Sequence, residues 1–113
     1  MAFDVITPTN MGRGSISASP TVDVQHTIPT HERGILKTID IANTTSVALQ
    51  VIVYLVPSGG SPGASNILIP DCSIPANGFL QWSGAQVLSE GDTIRTTANG
   101  SGLTFHASGG AAV

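Results

Sequence analysis

Proline spacing limits this chain to short structural elements. The seven prolines, at positions 8, 20, 29, 57, 62, 70 and 75, leave few uninterrupted stretches for helices in the first two thirds of the sequence. Proline has no backbone N–H, and its ring clashes with the preceding helical turn. The segments between turn residues are rich in Val, Ile and Thr, which favour extended backbone. The sequence therefore predicts strands.

Alternation of apolar and polar residues supports this prediction. Near the end of the chain, one predicted strand buries one set of side chains and exposes the other: Leu103, Phe105 and Ala107 against Thr104, His106 and Ser108. Longer predicted strands lie at 21–27, 35–43, 48–56, 93–97 and 103–108, and shorter separate ones at 15–19, 66–69, 72–74, 79–82 and 86–88. About seven to nine short strands in one chain of this length predict a single all-β domain, an antiparallel β-sandwich or jelly roll.

The predicted domain covers residues 15–113 and is preceded by an extended arm at 1–14, which has little periodicity and ends in Gly-Arg-Gly. The closing SGGAAV is a second candidate arm. Segment 48–56 is apolar on both faces, so we expect a central strand that is covered on both sides, or on one side by a neighbouring subunit. Val51, Val53 and Leu55 are its expected core residues.

Charged residues are scarce in this chain, and their distribution argues against nucleic acid as a direct partner. Charged residues make up 10% of the chain, against roughly 25% in ordinary domains, and the net charge is −3. The four basic residues are dispersed, which argues against direct binding of nucleic acid. A sparsely charged surface desolvates cheaply, so it suits a subunit packed against others. A small neutral β-domain is the equally weighted alternative.

The cysteine count, the N-terminal segment and the longest apolar stretch limit which kinds of protein this chain can be. Cys72 is the only cysteine, so neither an internal disulfide nor a cysteine-rich metal site is expected. MAFDVITPTN lacks the features of a signal peptide. The most apolar stretch, ten residues long, is too short to span a bilayer.

Ser61 lies in GGSPG, which matches the spacing of a hydrolase nucleophile elbow. That elbow needs a strand, a sharp turn and a helix, and its oxyanion hole uses the N–H of the residue after the nucleophile. Here the next residue is Pro62, which has no N–H, and ASNILIPDCSIP does not predict a helix. We expect a flexible surface loop at 58–65 and no enzyme activity.

Histidines and carboxylates do not form a predicted site. His26, His31 and His106 lack the close spacing of metal ligands, so surface or interface positions are expected and no metal or cofactor is predicted. Three carboxylates lie in apparent turns, where they commonly bond to backbone: Asp71, Glu90 and Asp92.

One tryptophan is the candidate for a sugar-binding platform. Trp82 is the only aromatic residue with an expected exposed position, although a core or interface role is the favoured reading. Phe79 and Trp82 differ in parity, so one of the two should be core.

A family resemblance extends over nearly the whole chain. It rests on DIANTT at 40–45, LVPSGG at 55–60, QVL at 86–88, GDTI at 91–94 and ASGG at 107–110. With these motifs the chain resembles small virion-associated structural proteins of tailed bacteriophages. These motifs are typical of β-turns and not of catalytic sites. The resemblance therefore implies an all-β protein that is a structural part of the particle, and it implies no catalytic residue in this chain.

Two functions follow from the resemblance and the composition. The first is a capsid decoration (cement) protein, made in the host bacterial cytoplasm and located in the virion. It would bind the major capsid protein or other virion proteins through the arm and act as a homo-oligomer, with a trimer as one form. The alternative is a neck, tail or fibre accessory that binds a receptor or glycan through Trp82 and loop 58–65. Neither role requires nucleic acid or a membrane.

Overall fold

A computed structural model describes residues 6–112, and for Ile6 it describes the backbone alone. Eight strands and one three-residue 3-10 helix make up the described chain. The strands are β1 (Ile6–Ile16), β2 (Asp23–Thr27), β3 (Arg33–Asn43), β4 (Leu49–Val56), β5 (Ile67–Ile74), β6 (Phe79–Leu88), β7 (Thr93–Ala98) and β8 (Leu103–Ala112), and the 3-10 helix is η1 (Ala64–Asn66). Within residues 6–112, no helix has the length and apolar character needed to cross a membrane.

The strands form two antiparallel four-stranded sheets that pack face to face. The first sheet has the order β1-β8-β3-β6, and the second has the order β2-β7-β4-β5. Eight strands divided in this way between two sheets make a jelly roll. The predicted all-β sandwich and the predicted number of strands are confirmed.

The core lies between the sheets and is built from the alternation seen in the sequence. In β8, Leu103, Phe105 and Ala107 are buried, whereas His106 and Ser108 are exposed. In β4, Val51 and Val53 are fully buried as predicted, and Leu55 is half-buried against the core. Buried Ile and Leu side chains of β3, β7 and β8 meet them from both sheets.

Asn43 fastens one end of the sandwich. This buried side chain donates hydrogen bonds to the carbonyl oxygens of Val47 (2.8 Å) and Ile74 (3.1 Å). Its own Oδ1 accepts the backbone N–H of Thr45 at 2.9 Å. A buried amide is stable only with such partners. The turn in DIANTT is therefore held by Asn43, which connects the end of β3 to β5.

The predicted separate arm is wrong for residues 6–14. These residues belong to β1, which pairs with β8 over most of its length, from Ile6 opposite Ala112 to Ile16 opposite Leu103. Pro8 is tolerated there because β1 is an edge strand. The closing segment is likewise part of β8 up to Ala112. Residues 1–5, the rest of the predicted arm, lie outside the described part of the chain.

Two pairs of predicted short strands are continuous. The segments 66–69 and 72–74 are one strand, β5, which runs through Pro70 at the edge of the second sheet. The segments 79–82 and 86–88 are likewise one strand, β6. The expected break at Pro70 is absent because an edge strand has one side without a ladder partner, where a missing N–H costs little.

Gly109 is required by the close approach of β8 and β3. It lies opposite Leu36, where the register between the two strands shifts at Lys37. A Cβ atom at Gly109 would overlap the carbonyl oxygen of Ile35. Since this obstacle is backbone, it cannot move aside without breaking the pairing of the two strands.

We expect Gly109→Ala to destabilise the fold by about 2 kcal/mol or more, because the added methyl group forces the β3 and β8 backbones apart. Gly63→Ala is the matched control: Gly63 is extended (φ −169°), and nothing lies within 4 Å of an added Cβ. It should change stability by no more than about 0.5 kcal/mol. Urea unfolding of both variants measures the difference, and equal midpoints would contradict the role of Gly109.

Candidate contact surfaces

Ser61 lies in an exposed loop between β4 and β5. Its carbonyl oxygen accepts a hydrogen bond from Nδ2 of Asn66 at 2.8 Å, which shapes the loop. The chain continues into η1 and then β5, an arrangement of strand, loop, short 3-10 turn and strand. This differs from the strand–turn–helix order that presents a nucleophile.

The histidines are spread over the molecule. His26 is half-buried in β2, His31 lies in the β2–β3 connection with φ 66°, and His106 is exposed on the outer face of the first sheet. Among residues 6–112, no three His, Cys, Asp or Glu side chains come together in a group that could hold a metal ion.

Carboxylates at the ends of strands hold the loops. The Asp92 carboxylate accepts the backbone N–H of Ser58 (3.0 Å) and of Ser89 (2.9 Å), and it thereby ties the loop after β4 to the turn before β7. Glu90 accepts the backbone N–H of His31 at 3.0 Å. Both are turn residues as predicted. The predicted turn position of Asp71 is wrong, because Asp71 lies within β5.

Two other sequence predictions concern side chains near the core. Trp82 is half-buried and packs against the core, whereas Phe79 is 70% exposed. The prediction that one of them is core is confirmed, and so is the favoured core role of Trp82. The exposed position considered for Trp82 is wrong, and Phe79 is exposed instead. Cys72 is a half-buried free thiol that also packs against the core.

Among the titratable groups that the structure describes, His26 has a clearly perturbed pKa. Burial lowers the pKa of His26 below its ordinary value of 6.5, and the nearby Glu32 carboxylate raises it in part. The net lowering means that the folded protein disfavours the protonated imidazole. In the unfolded chain the same group takes up a proton at its ordinary pKa, so acid favours unfolding here.

We expect the stability contributed by neutral His26 to be present above about pH 6.5 and to be lost as the pH falls towards the lowered pKa of the folded state. His26→Gln should remove this part of the acid dependence, because glutamine does not titrate. His106→Gln, at an exposed histidine, is the control and should keep it. Urea unfolding of the three proteins at several pH values measures the slopes, and parallel slopes for all three would contradict the assignment.

The outer face of the first sheet carries a polar groove of about 550 Å³. Arg13, His106 and Asp40 are cross-strand neighbours on β1, β8 and β3, and Lys37 completes the charged lining. We call these four residues and the volume between them the polar groove. Both signs of charge face the same space, so the groove offers donors and acceptors to a polar ligand. The pairing of distant strands creates it, and no local spacing in the sequence indicated it.

The outer face of the second sheet carries a group of apolar side chains among polar ones. Val24 (52% exposed) lies opposite Arg95, which in turn lies opposite Tyr54 on β4. Val22, Ile52 and Tyr54 line a shallow depression of about 320 Å³, whose rim also includes the polar residues Gln50, Asp71, Thr97 and Asn99. We call Val22, Val24, Ile52 and Tyr54 the apolar face. The sequence predicted that β4 is apolar on both sides. One side is the core, and the other is this face, which nothing in residues 6–112 covers.

Comparison with known proteins bears on the fold. No protein-family model and no curated protein matches the chain. Among solved structures, the chain is similar to a chain in the structure of infectious bursal disease virus, Gx strain, with a TM-score of 0.55 and 10% sequence identity. The match covers 96% of this chain and 32% of that one, so this chain spans about a third of its neighbour's length. At this identity the similarity establishes a shared fold, found there in a virus.

Proposed function

We propose that this protein is a structural component of a virion, and more specifically a decoration protein on the capsid of a tailed bacteriophage. The observation that carries the proposal is the apolar face: a jelly roll with one side of its central strand β4 uncovered is built to lie against another protein. The fold shared with a chain of a virus structure supports the viral setting. The sequence motifs support the phage assignment.

The contact would stabilise a shell by burial alone. Apolar surface gains roughly 25 cal/mol for each Å² removed from water, and many identical copies multiply the effect. Arg95 lies within the apolar face and supplies one charge that a carboxylate on the shell protein can pair with. Because charges are otherwise few, little desolvation opposes the contact. On this proposal the protein performs no chemistry of its own.

The apolar face takes over the role first expected of the arm. Residues 6–14 are committed to β1, so they cannot reach a neighbouring capsid subunit without opening the first sheet. Deletion of residues 1–14, the natural test of an arm, would remove most of an edge strand. A substitution on the apolar face is therefore the better experiment.

We expect Ile52→Glu to weaken retention on the capsid strongly, because it replaces an apolar side chain in the contact by a carboxylate that is costly to remove from water. Thr104→Glu, which adds the same charge on the outer face of the first sheet, is the control and should be retained like the unmodified protein. Purified variants are mixed with capsids that lack the protein, and bound protein is measured by co-sedimentation. Equal retention of both variants would overturn the proposed contact, and an image reconstruction would locate the bound copies.

The polar groove favours a second candidate, a neck, tail or fibre accessory that recognises a glycan. A sugar needs several donors and acceptors in one groove, and Arg13, Asp40 and His106 supply them. Trp82, first considered for this role, packs against the core and is a poor platform.

If the second candidate holds, Asp40→Ala should weaken binding to host surface polysaccharide at least about tenfold, because a charge-assisted hydrogen bond is lost. Gln50→Ala, on the outer face of the second sheet, should leave that binding unchanged. Binding is measured with purified polysaccharide by calorimetry. An affinity that Asp40→Ala leaves unaltered would remove the groove from consideration.

A further inference from the structure

The described sheets have four edge strands, and three of them carry a charge or a proline that opposes pairing with another strand. An edge strand exposes unpaired N–H and C=O groups, and proteins blunt it with charge, proline, a bulge or short length. β1 carries Pro8, Arg13 and a bulge. β2 has only five residues, with Asp23 and a register shift. β5 carries Pro70 and Asp71.

The fourth edge strand, β6, has neither proline nor charge in its ten residues, FLQWSGAQVL. Its irregularity is a shift against β3, where Gly84 and Ala85 lie opposite Lys37. β6 also carries the two most exposed large apolar side chains of the described chain, Phe79 at 70% and Val87 at 68%. A long, uncharged edge strand with exposed apolar side chains is a template for another strand.

We propose that β6 pairs antiparallel with β6 of a second copy of this chain, so that two first sheets join into one continuous sheet of eight strands. The contact is isologous: the same strand is used on both sides of a twofold axis. Backbone hydrogen bonds supply the attachment, and the side chains set the register.

The spacing of side chains along β6 favours a second copy as the partner. Phe79 and Val87 are each four residues from Ser83, so a twofold axis at Ser83 places Phe79 opposite Val87 of the second copy, on both sides. Aromatic and β-branched residues directly opposite each other stabilise an antiparallel pair. Since β6 has no charge, self-pairing brings no like charges together. Strand β6 therefore carries both members of the Phe79–Val87 pair, so a second copy of the same strand is a suitable partner.

The side chains on the opposite face of β6 are compatible with the same register, in which the twofold axis passes through Ser83. The twofold axis at Ser83 places Trp82 opposite Gly84 of the second copy. Within one chain, a Cβ on Gly84 would come within 3.0 Å of the Trp82 ring, so the indole already lies over this glycine. Half-buried Leu80 and Trp82 lie along this edge and would lose their remaining exposure. The pairing therefore covers apolar surface on both sides of the strand.

This pairing does not depend on the virion role. It leaves the apolar face free, because that face belongs to the second sheet. It predicts twofold symmetry rather than the trimer considered from the sequence. If both the pairing and the capsid contact exist, each particle-bound dimer is held at two places, and linked contacts bind more tightly than either alone.

The test is the mass of the purified protein in solution, without capsids. At about 100 µM, well above a micromolar dissociation constant, light scattering and sedimentation equilibrium should give twice the 11.5 kDa chain mass. Ser83→Lys places two ammonium groups at the twofold axis, and the dissociation constant should rise at least about tenfold. Ser15→Lys, the same change on the opposite edge of the same sheet, is the matched control and should remain a dimer.

Two further measurements keep the result unambiguous. Val87→Lys, at a side chain that the monomer leaves largely in water, should weaken the dimer in the same way if Ser83→Lys fails to fold. Hydrogen exchange of the unmodified protein should show the β6 amides that point away from β3 protected at high concentration and exposed on dilution. A monomer at about 100 µM, a trimer, or a dimer that both lysine variants leave intact would each overturn the proposal.

Discussion

Pairing of β8 with both β1 and β3 is the interaction on which the first sheet depends. β8 is the last described strand, and it lies between the first strand and the third. Its ladder with β1 begins with Ile6 opposite Ala112, so the two ends of the described chain meet in one sheet. Gly109 makes the approach to β3 possible where the register shifts. The polar groove exists because this pairing aligns residues that are far apart in sequence.

The two outer faces of the sandwich differ in chemistry, and this difference separates the two candidate functions. The first sheet presents the polar groove, with charges of both signs. The second sheet presents the apolar face, with side chains from β2, β4 and the segment before β2. A protein that recognises a sugar would use the first, and a protein that lies flat against a shell would use the second. Both functions are compatible with one fold, because a jelly roll fixes the scaffold while its surfaces carry the function.

The four edge strands are not equally protected, so another copy of the chain can pair with one edge of the sandwich more easily than with the other three. Pro70 and Asp71 block the β5 edge, whereas β6, at the same side of the sandwich, is unblocked. One open edge next to a blocked one permits pairing of the first sheets while the second sheets remain separate. Assembly would then extend one layer only. It would stop at two copies, because the contact uses the β6 edge of each copy and the β1 edges that remain carry Pro8, Arg13 and a bulge.

Several features were readable from the sequence because they depend on local pattern. The proline spacing and β-branched segments predicted the all-β sandwich, and strict alternation placed Phe105 inside and His106 outside. Pro62 and the missing helix signal removed the reason to regard Ser61 as a nucleophile. The turn position of Asp92 predicted its bonds to backbone. These predictions needed only the two-residue period of a strand and the known chemistry of turns.

Tertiary structure alone decided where the strands lie and what they leave exposed. Residues 6–14 look irregular by themselves and become β1 because β8 supplies their hydrogen-bond partners. Pro70 ended a strand in the sequence-based prediction and does not do so in the fold, since β5 is an edge. Phe79, rather than Trp82, faces water because pairing with β3 turns the even-numbered side chains of β6 inward. Sequence thus determined the type of fold, through local backbone preference. The fold determined the surfaces, because a surface is created by contacts between distant residues.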